Sequence, residues 1–184
     1  MSTPKHRTAA GSSYFVTTKC SQGRTIFQIH EVAETLVNDL FEYRDRSFYP
    51  LHDSVLMPDH LHILLTAGMT TSLEKARQLI KSKSSHKIHK LRNHKMEIWQ
   101  VGSFEWRIRC ANDWQTKVEY IHLNPFRGKL VECPREWAYS SANGKYAIDP
   151  VRARNLTATS GAKALVCRTL MPDLKLRPPK EHHG

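Results

Sequence analysis

No apolar run in this chain approaches the ~18–20 residues that a membrane-spanning helix needs, so membrane insertion is not expected. The opening stretch, MSTPKHRTAAGSS, lacks the apolar core of a secretory signal, which points to the cytosol. Cysteine is scarce. The four thiols, at 20, 110, 133 and 167, form no C-x-x-C pair and have no zinc-finger spacing. A disulfide framework and a structural zinc site are thereby disfavoured, and the residues read as free thiols of a reducing compartment. Acid is also short: 17 Asp and Glu face 28 Lys and Arg, leaving a net charge of +11. Such an imbalance points to a polyanionic partner, nucleic acid before membrane. No internal repeat or low-complexity block is present.

What is there suits one globular unit, since 184 residues with 40% hydrophobic content can bury a single sizeable core. Tyr14 to Thr18 carries the β-branched and aromatic residues of a strand. Ile29, Val32, Ala33, Leu36, Val37, Leu40 and Phe41 fall at helical spacing. Leu51 to Met57 and His60 to Thr66 read as two strands joined at Pro58-Asp59. A long basic helix over 72–92 follows, with Ser72 as N-cap. A fourth strand is expected over 104–110. The last helix is capped by Asn112 or Asp113 and runs to about Leu123, stopping before Pro125. This order implies an α+β fold, an antiparallel sheet with helices packed on it, of the ferredoxin-like or RRM-like split β-α-β kind. Residues 1–146 are expected to form the domain. Residues 147–184, where only Ala162 to Leu170 looks helical, are expected to form a basic, partly disordered tail.

Side chains alternate along a strand, so His60 and His62 share a face and could meet one metal ion, with an amide oxygen, water or phosphate completing the site. The pair alone is weak evidence. With 11 histidines in the chain, about two-thirds of one H-x-H arises by chance. Support comes from Val118 to Pro125, where Trp114, Val118 and Ile121 make a buried stripe and Tyr120 and Asn124, four apart, lie together beside it. A tyrosine can attack phosphorus covalently once its phenol is polarised or deprotonated, and a metal ion on the phosphate assists. Lys117, one turn earlier, could stabilise the phenolate or hold DNA. Lys81, Lys83 and Lys87 on the basic helix, with Arg7 near the start and Arg107 and Arg109 further on, are candidate phosphate contacts.

Met57-Pro58-Asp59-His60-Leu61-His62, Trp99-Gln100, Tyr120-Ile121-His122-Leu123-Asn124-Pro125 and Trp137-Ala138-Tyr139-Ser140-Ser141 occur in that order. Together they resemble the IS200-like single-tyrosine transposases of the HUH endonuclease type, and within them the REP-associated branch. The likeness spans roughly residues 10–145. It implies that His60 and His62 are the H-hydrophobic-H pair, binding Mg²⁺ or Mn²⁺ with Asn124 as third ligand, and that Tyr120 is the nucleophile. Attack on single-stranded DNA would leave a 5′-phosphotyrosine link and a free 3′-OH, which the reverse reaction rejoins without ATP. The implied substrate is a palindromic repeat that folds into a hairpin. The branch also implies a monomer, working in the cytoplasm at the nucleoid. At Glu105-Trp106 the chain departs from the resemblance, which has a histidine after the acid; Trp106 would stack a base there, as Trp99 and Phe104 could. Two alternatives stay open: a non-catalytic binder of hairpin DNA or RNA on the same fold, and a metal-dependent nuclease that uses water.

Overall fold

The computed structural model describes residues 8–68, 71–93 and 95–151. Arg7 and the greater part of the expected tail, including Ala162 to Leu170, lie outside the described residues. The elements are β1 (Ser13–Lys19), α1 (His30–Asp45), β2 (Leu51–Leu56), β3 (His60–Thr66), α2 (Leu73–Arg92), β4 (Phe104–Arg107) and α3 (Ala111–Arg127). They follow in the order that the sequence pattern predicts. The strands form one sheet, β2-β3-β1-β4, and every adjacent pair is antiparallel. β1 and β2 therefore run parallel with β3 inserted between them, the split β-α-β arrangement expected of the pattern.

Strand alternation divides the sheet into two unlike faces. One carries Tyr14 and Val16 of β1 and Leu61, Ile63 and Leu65 of β3, all buried against α1 and α2. The helices answer with Val32, Leu36 and Leu40 from α1 and Ala76, Ile80 and Ile88 from α2, stripes spaced by four or eight. Each of the Val, Leu and Ile side chains among them contributes about 1.5–3 kcal/mol by leaving water. Between the two helices, Asp39 is buried and accepts hydrogen bonds from Lys87 (2.5 Å), with Lys83 at 3.5 Å. Trp99 belongs to this core as well. It is 5% exposed, packs on Phe27 and donates from its indole N–H to Ser84, so it offers no free ring to a base.

The other face holds a smaller cluster of Phe15, Val55, Met57, Leu64, Ile108 and Ile121, against which Trp114 and Val118 of α3 pack. α3 covers only part of this face. It differs from the expected helix at both ends: Cys110 is the N-cap residue, while Asp113 accepts from the Arg109 N–H at the entry. Pro125 lies inside the helix. Proline removes one N–H donor late in a helix, and the final turn survives because Gly128, Lys129 and Leu130 N–H groups bond to the Asn124, Phe126 and Pro125 carbonyls. β4 stops at Arg107, short of the expected Cys110, because its partner β1 begins at Ser13, whose carbonyl takes the Ile108 N–H.

The outer edge of β2 is covered by the Trp137-Ala138-Tyr139-Ser140-Ser141 segment. Ser140 bridges Val55, the Leu56 N–H donates to the Tyr139 carbonyl, and the Trp137 indole N–H donates to the Leu56 carbonyl. Such pairing removes an open sheet edge. Packing continues past residue 146, since Asp149 accepts from Arg44 and from the Leu51 N–H. Among the described residues, no helix is long and apolar enough to cross a membrane.

Candidate active site

β3 places His60 and His62 on the α3 face of the sheet, opposite Lys19 and Thr17 of β1. Their rings stand 4.6 Å apart. The His62 ring is stacked on Phe15 at 5.3 Å, and its Nδ1 lies 2.8 Å from the Thr17 hydroxyl oxygen. With Nδ1–H donating to Thr17, the lone pair of His62 Nε2 is left over. That atom is buried and has no hydrogen-bond partner. A buried polar nitrogen is normally paired, so one left without a partner is what an imidazole ligand presents. His60 is oriented in a similar way, its Nδ1 2.6 Å from the Asp59 carboxylate. Carboxylate and hydroxyl partners of this sort commonly fix the tautomer of metal-binding histidines.

Burial, reinforced by the neighbouring His60, Lys19 and Lys117, pushes the His62 pKa down to about 3. His52, on the same face, is also lowered by burial, partly offset by its contact with the Asp149 carbonyl. Both rings are therefore neutral in the folded protein at physiological pH. The unfolded chain protonates His62 below about pH 6.5 and the folded chain only near pH 3, so stability falls as pH drops between the two, and the lowered His52 acts in the same direction. Between pH 7 and 4.5, His62 alone is expected to remove roughly 2–3 kcal/mol of stability. Urea unfolding at the two pH values measures this, with His62→Gln losing less stability on acidification than the wild type. An equal loss in the two proteins would refute the assignment.

Tyr120 comes to this pair from α3. It is 39% exposed, and its ring meets His62 edge-on at 5.1 Å and Phe15 at 5.8 Å. Arg127 lies 6.0 Å from the same ring. Lys117, one turn before Tyr120, holds its ammonium 5.0 Å from the Phe15 ring and 5.1 Å from that of Trp106. Asn124 follows one turn after Tyr120 and is half-buried. Among the described residues, no group of three His, Cys, Asp or Glu side chains is placed to hold a metal ion. Two imidazoles with an amide oxygen, the set that the sequence suggests, fall outside such a grouping.

The other expected DNA contacts are not gathered here. Lys81, Lys83 and Lys87 lie on α2, across the sheet from Tyr120. Lys81 donates to the Gln100 and Gly102 carbonyls, Lys83 to Glu42, and Lys87 to Asp39. Arg107 pairs in register with Tyr14, whose side chain belongs to the α1–α2 core, and so also falls on that face. Arg109 stands at the entry to α3.

One polar cluster escaped the sequence reading. His122 Nε2 lies 3.0 Å from Asp53, a β2 carboxylate that is 1% exposed, and Asp53 also takes the Ser141 hydroxyl and the Ser54 N–H. The available signal is an acid in the middle of the strand predicted over Leu51 to Met57. This cluster ties α3, β2 and the 137–141 segment together behind Tyr120. Asp53→Ala strands those donors in the interior and is expected to cost about 3 kcal/mol. Thermal or urea unfolding would show it, and a change below 1 kcal/mol would mean that the cluster is incidental.

The sequence model described as "Transposase IS200 like" matches residues 11–123. The chain belongs to the IS200-like transposase family. The matched stretch contains His60, His62 and Tyr120 and ends one residue before Asn124. Among family relatives, the chain is 32% identical over 113 residues to a REP-associated tyrosine transposase of Escherichia coli K12, covering 58% of this chain and 64% of the relative. A putative REP-associated tyrosine transposase of Haemophilus influenzae is 29% identical over 98 residues, 47% of this chain and 54% of that one. The chain thus spans less than two-thirds of the length of either relative. A solved REP-associated tyrosine transposase bound to a REP hairpin superposes with a TM-score of 0.65 at 21% identity, over 90% of this chain and 99% of that chain. The family fold is therefore that of the α+β sheet described above.

Proposed function

We propose that this protein is a DNA transposase or endonuclease that cleaves and rejoins single-stranded DNA at hairpin-forming repeats, with Tyr120 as the covalent nucleophile. One observation carries the reading: an exposed tyrosine stands 5.1 Å from a buried histidine ring whose Nε2 has no partner. Packing alone requires neither. The REP-associated names of the relatives support the repeat-hairpin substrate.

In this reading the Tyr120 oxygen forms a bond to the scissile phosphorus while the bond from phosphorus to the 3′ oxygen breaks. The phenol proton passes to solvent and the departing 3′ oxygen takes one up, which gives a 5′-phosphotyrosine and a 3′-OH. Lys117 brings positive charge to the approach path of the phosphate, and Phe15 buttresses both Tyr120 and His62. His60 and His62 fit as ligands of Mg²⁺ or Mn²⁺, with Asn124 as the amide oxygen that a hard cation favours. Bound there, such an ion would supply Lewis-acid polarisation of the phosphate. Asp59 and Thr17 hold the two imidazoles in the ligand tautomer. Rejoining is the reverse step, with a 3′-OH attacking the phosphotyrosine. The protein would work as a monomer on chromosomal DNA in the cytoplasm.

The test is a denaturing gel of the protein incubated with Mg²⁺ or Mn²⁺ and labelled single-stranded hairpin DNA taken from the flanks of its own gene. A protein–DNA band that survives denaturation supports the reading. Metal-dependent cleavage without that band indicates attack by water, and tight binding without cleavage indicates a binding module.

A further inference from the structure

We propose that Trp106 and Phe104 form a stacking platform for an unpaired nucleobase next to the phosphodiester that Tyr120 attacks. The inference rests on the Tyr120 reading and adds a base site to it. It starts from register. β4 pairs with β1 so that Trp106 stands opposite Phe15 and Phe104 opposite Thr17. Both aromatics therefore project from the face that carries Phe15, His62 and Tyr120, while Glu105 projects from the other and pairs with Arg77. All four β4 residues are exposed, Phe104 by 55% and Trp106 by 44%. Val101, just upstream, is 95% exposed. An edge strand with two large outward aromatics is a hazard unless something covers it.

Charge decides what that is. The Lys117 ammonium stands beside the platform, within about 5 Å of the Trp106 ring and of the Phe15 ring that Tyr120 also contacts. The chain as a whole carries +11. A second copy docked on β4 would bring like charge to Lys117. A nucleotide brings a π-face for Trp106 and a phosphate for Lys117 at once. Phe15 links the parts, with Phe104 6.5 Å away on one side and Tyr120 5.8 Å away on the other. A base on the platform thus adjoins the tyrosine rather than a remote patch. Stacking of this kind accepts any base, so it would grip the strand and leave sequence choice to other contacts.

The experiment uses the full chain and a fluorescein-labelled thymidine oligonucleotide carrying one 2-aminopurine. Anisotropy gives the affinity over a salt series, and 2-aminopurine quenching reports stacking. Trp106→Ala is expected to weaken binding about 10- to 100-fold and to abolish quenching, whereas Trp106→Phe retains most of both. The log-log salt slope should stay the same, because no phosphate contact is lost. Since Trp106 is exposed, circular dichroism should show both variants folded. Unchanged affinity and quenching in Trp106→Ala would overturn the platform, as would a dimer, seen by light scattering, that Trp106→Ala dissolves. The covalent assay separates the two readings: an adduct in wild type with no Trp106 effect refutes the platform alone. Absence of any wild-type adduct removes the reading on which the platform rests, even where quenching is seen.

Discussion

Tyr120→Phe is expected to abolish the covalent protein–DNA species and to reduce strand cleavage by about 10⁴-fold or more. The substitution removes one oxygen and leaves the ring, so the edge-on contacts with His62 and Phe15 persist. Tyr120 as a residue is 39% exposed, so losing one oxygen from it is not expected to unfold the protein. Stability should therefore change by less than about 1 kcal/mol, and affinity for single-stranded DNA should stay within a few-fold of wild type. This combination discriminates between the readings. A packing tyrosine would lose little in any assay, and a water-based nuclease would keep cleaving with Phe in place. Only a nucleophile loses the chemistry while binding and fold remain. Cleavage by Tyr120→Phe at a rate near that of wild type would end the phosphotyrosine mechanism.

Much of this arrangement is legible in the sequence because it is local. The two-residue period of β3 puts His60 and His62 on one face, and the 3.6-residue period of α3 puts Tyr120 and Asn124 on one stripe. The contact between Tyr120 and His62 is different in kind. It depends on α3 crossing the sheet over Phe15, and no spacing within either segment encodes that crossing. The family resemblance implies that the two residues meet, and the fold brings them together. The basic helix shows the converse. Counting charges on α2 made Lys83 and Lys87 candidate phosphate contacts, but their carboxylate partners, Asp39 and Glu42, sit on α1, and a one-dimensional charge count does not show pairings between helices. The Trp137 to Ser141 motif was recognisable as a pattern without a meaning. Its work is to complete the edge of β2 and, through Ser141 and Asp53, to brace His122 and with it the helix that carries Tyr120.

His62→Ala should have the second-largest effect, a loss of Mg²⁺- or Mn²⁺-dependent cleavage of about 10³-fold, matched by a chelator acting on wild type. Loss of activity alone would be ambiguous. His62 is 3% exposed and stacked on Phe15, so its truncation also opens a cavity beside the nucleophile. Direct titration of Mn²⁺ by calorimetry on protein shown to be folded avoids that ambiguity. Wild type should bind one ion, and His62→Ala should bind none measurably. Asp59→Asn is the finer probe, because Asp59 touches His60 Nδ1 at the hairpin turn and leaves Phe15 and Tyr120 undisturbed. An amide in place of the carboxylate weakens the hold on the ligand tautomer without removing an imidazole, and a drop in Mn²⁺ affinity of about 10-fold is expected. If Asp59→Asn lowers affinity while melting at the wild-type temperature, the effect belongs to the metal site. If Mn²⁺ binds equally well to wild type, His62→Ala and Asp59→Asn, the histidine pair is not the ion site, and the orphaned Nε2 must serve the DNA directly.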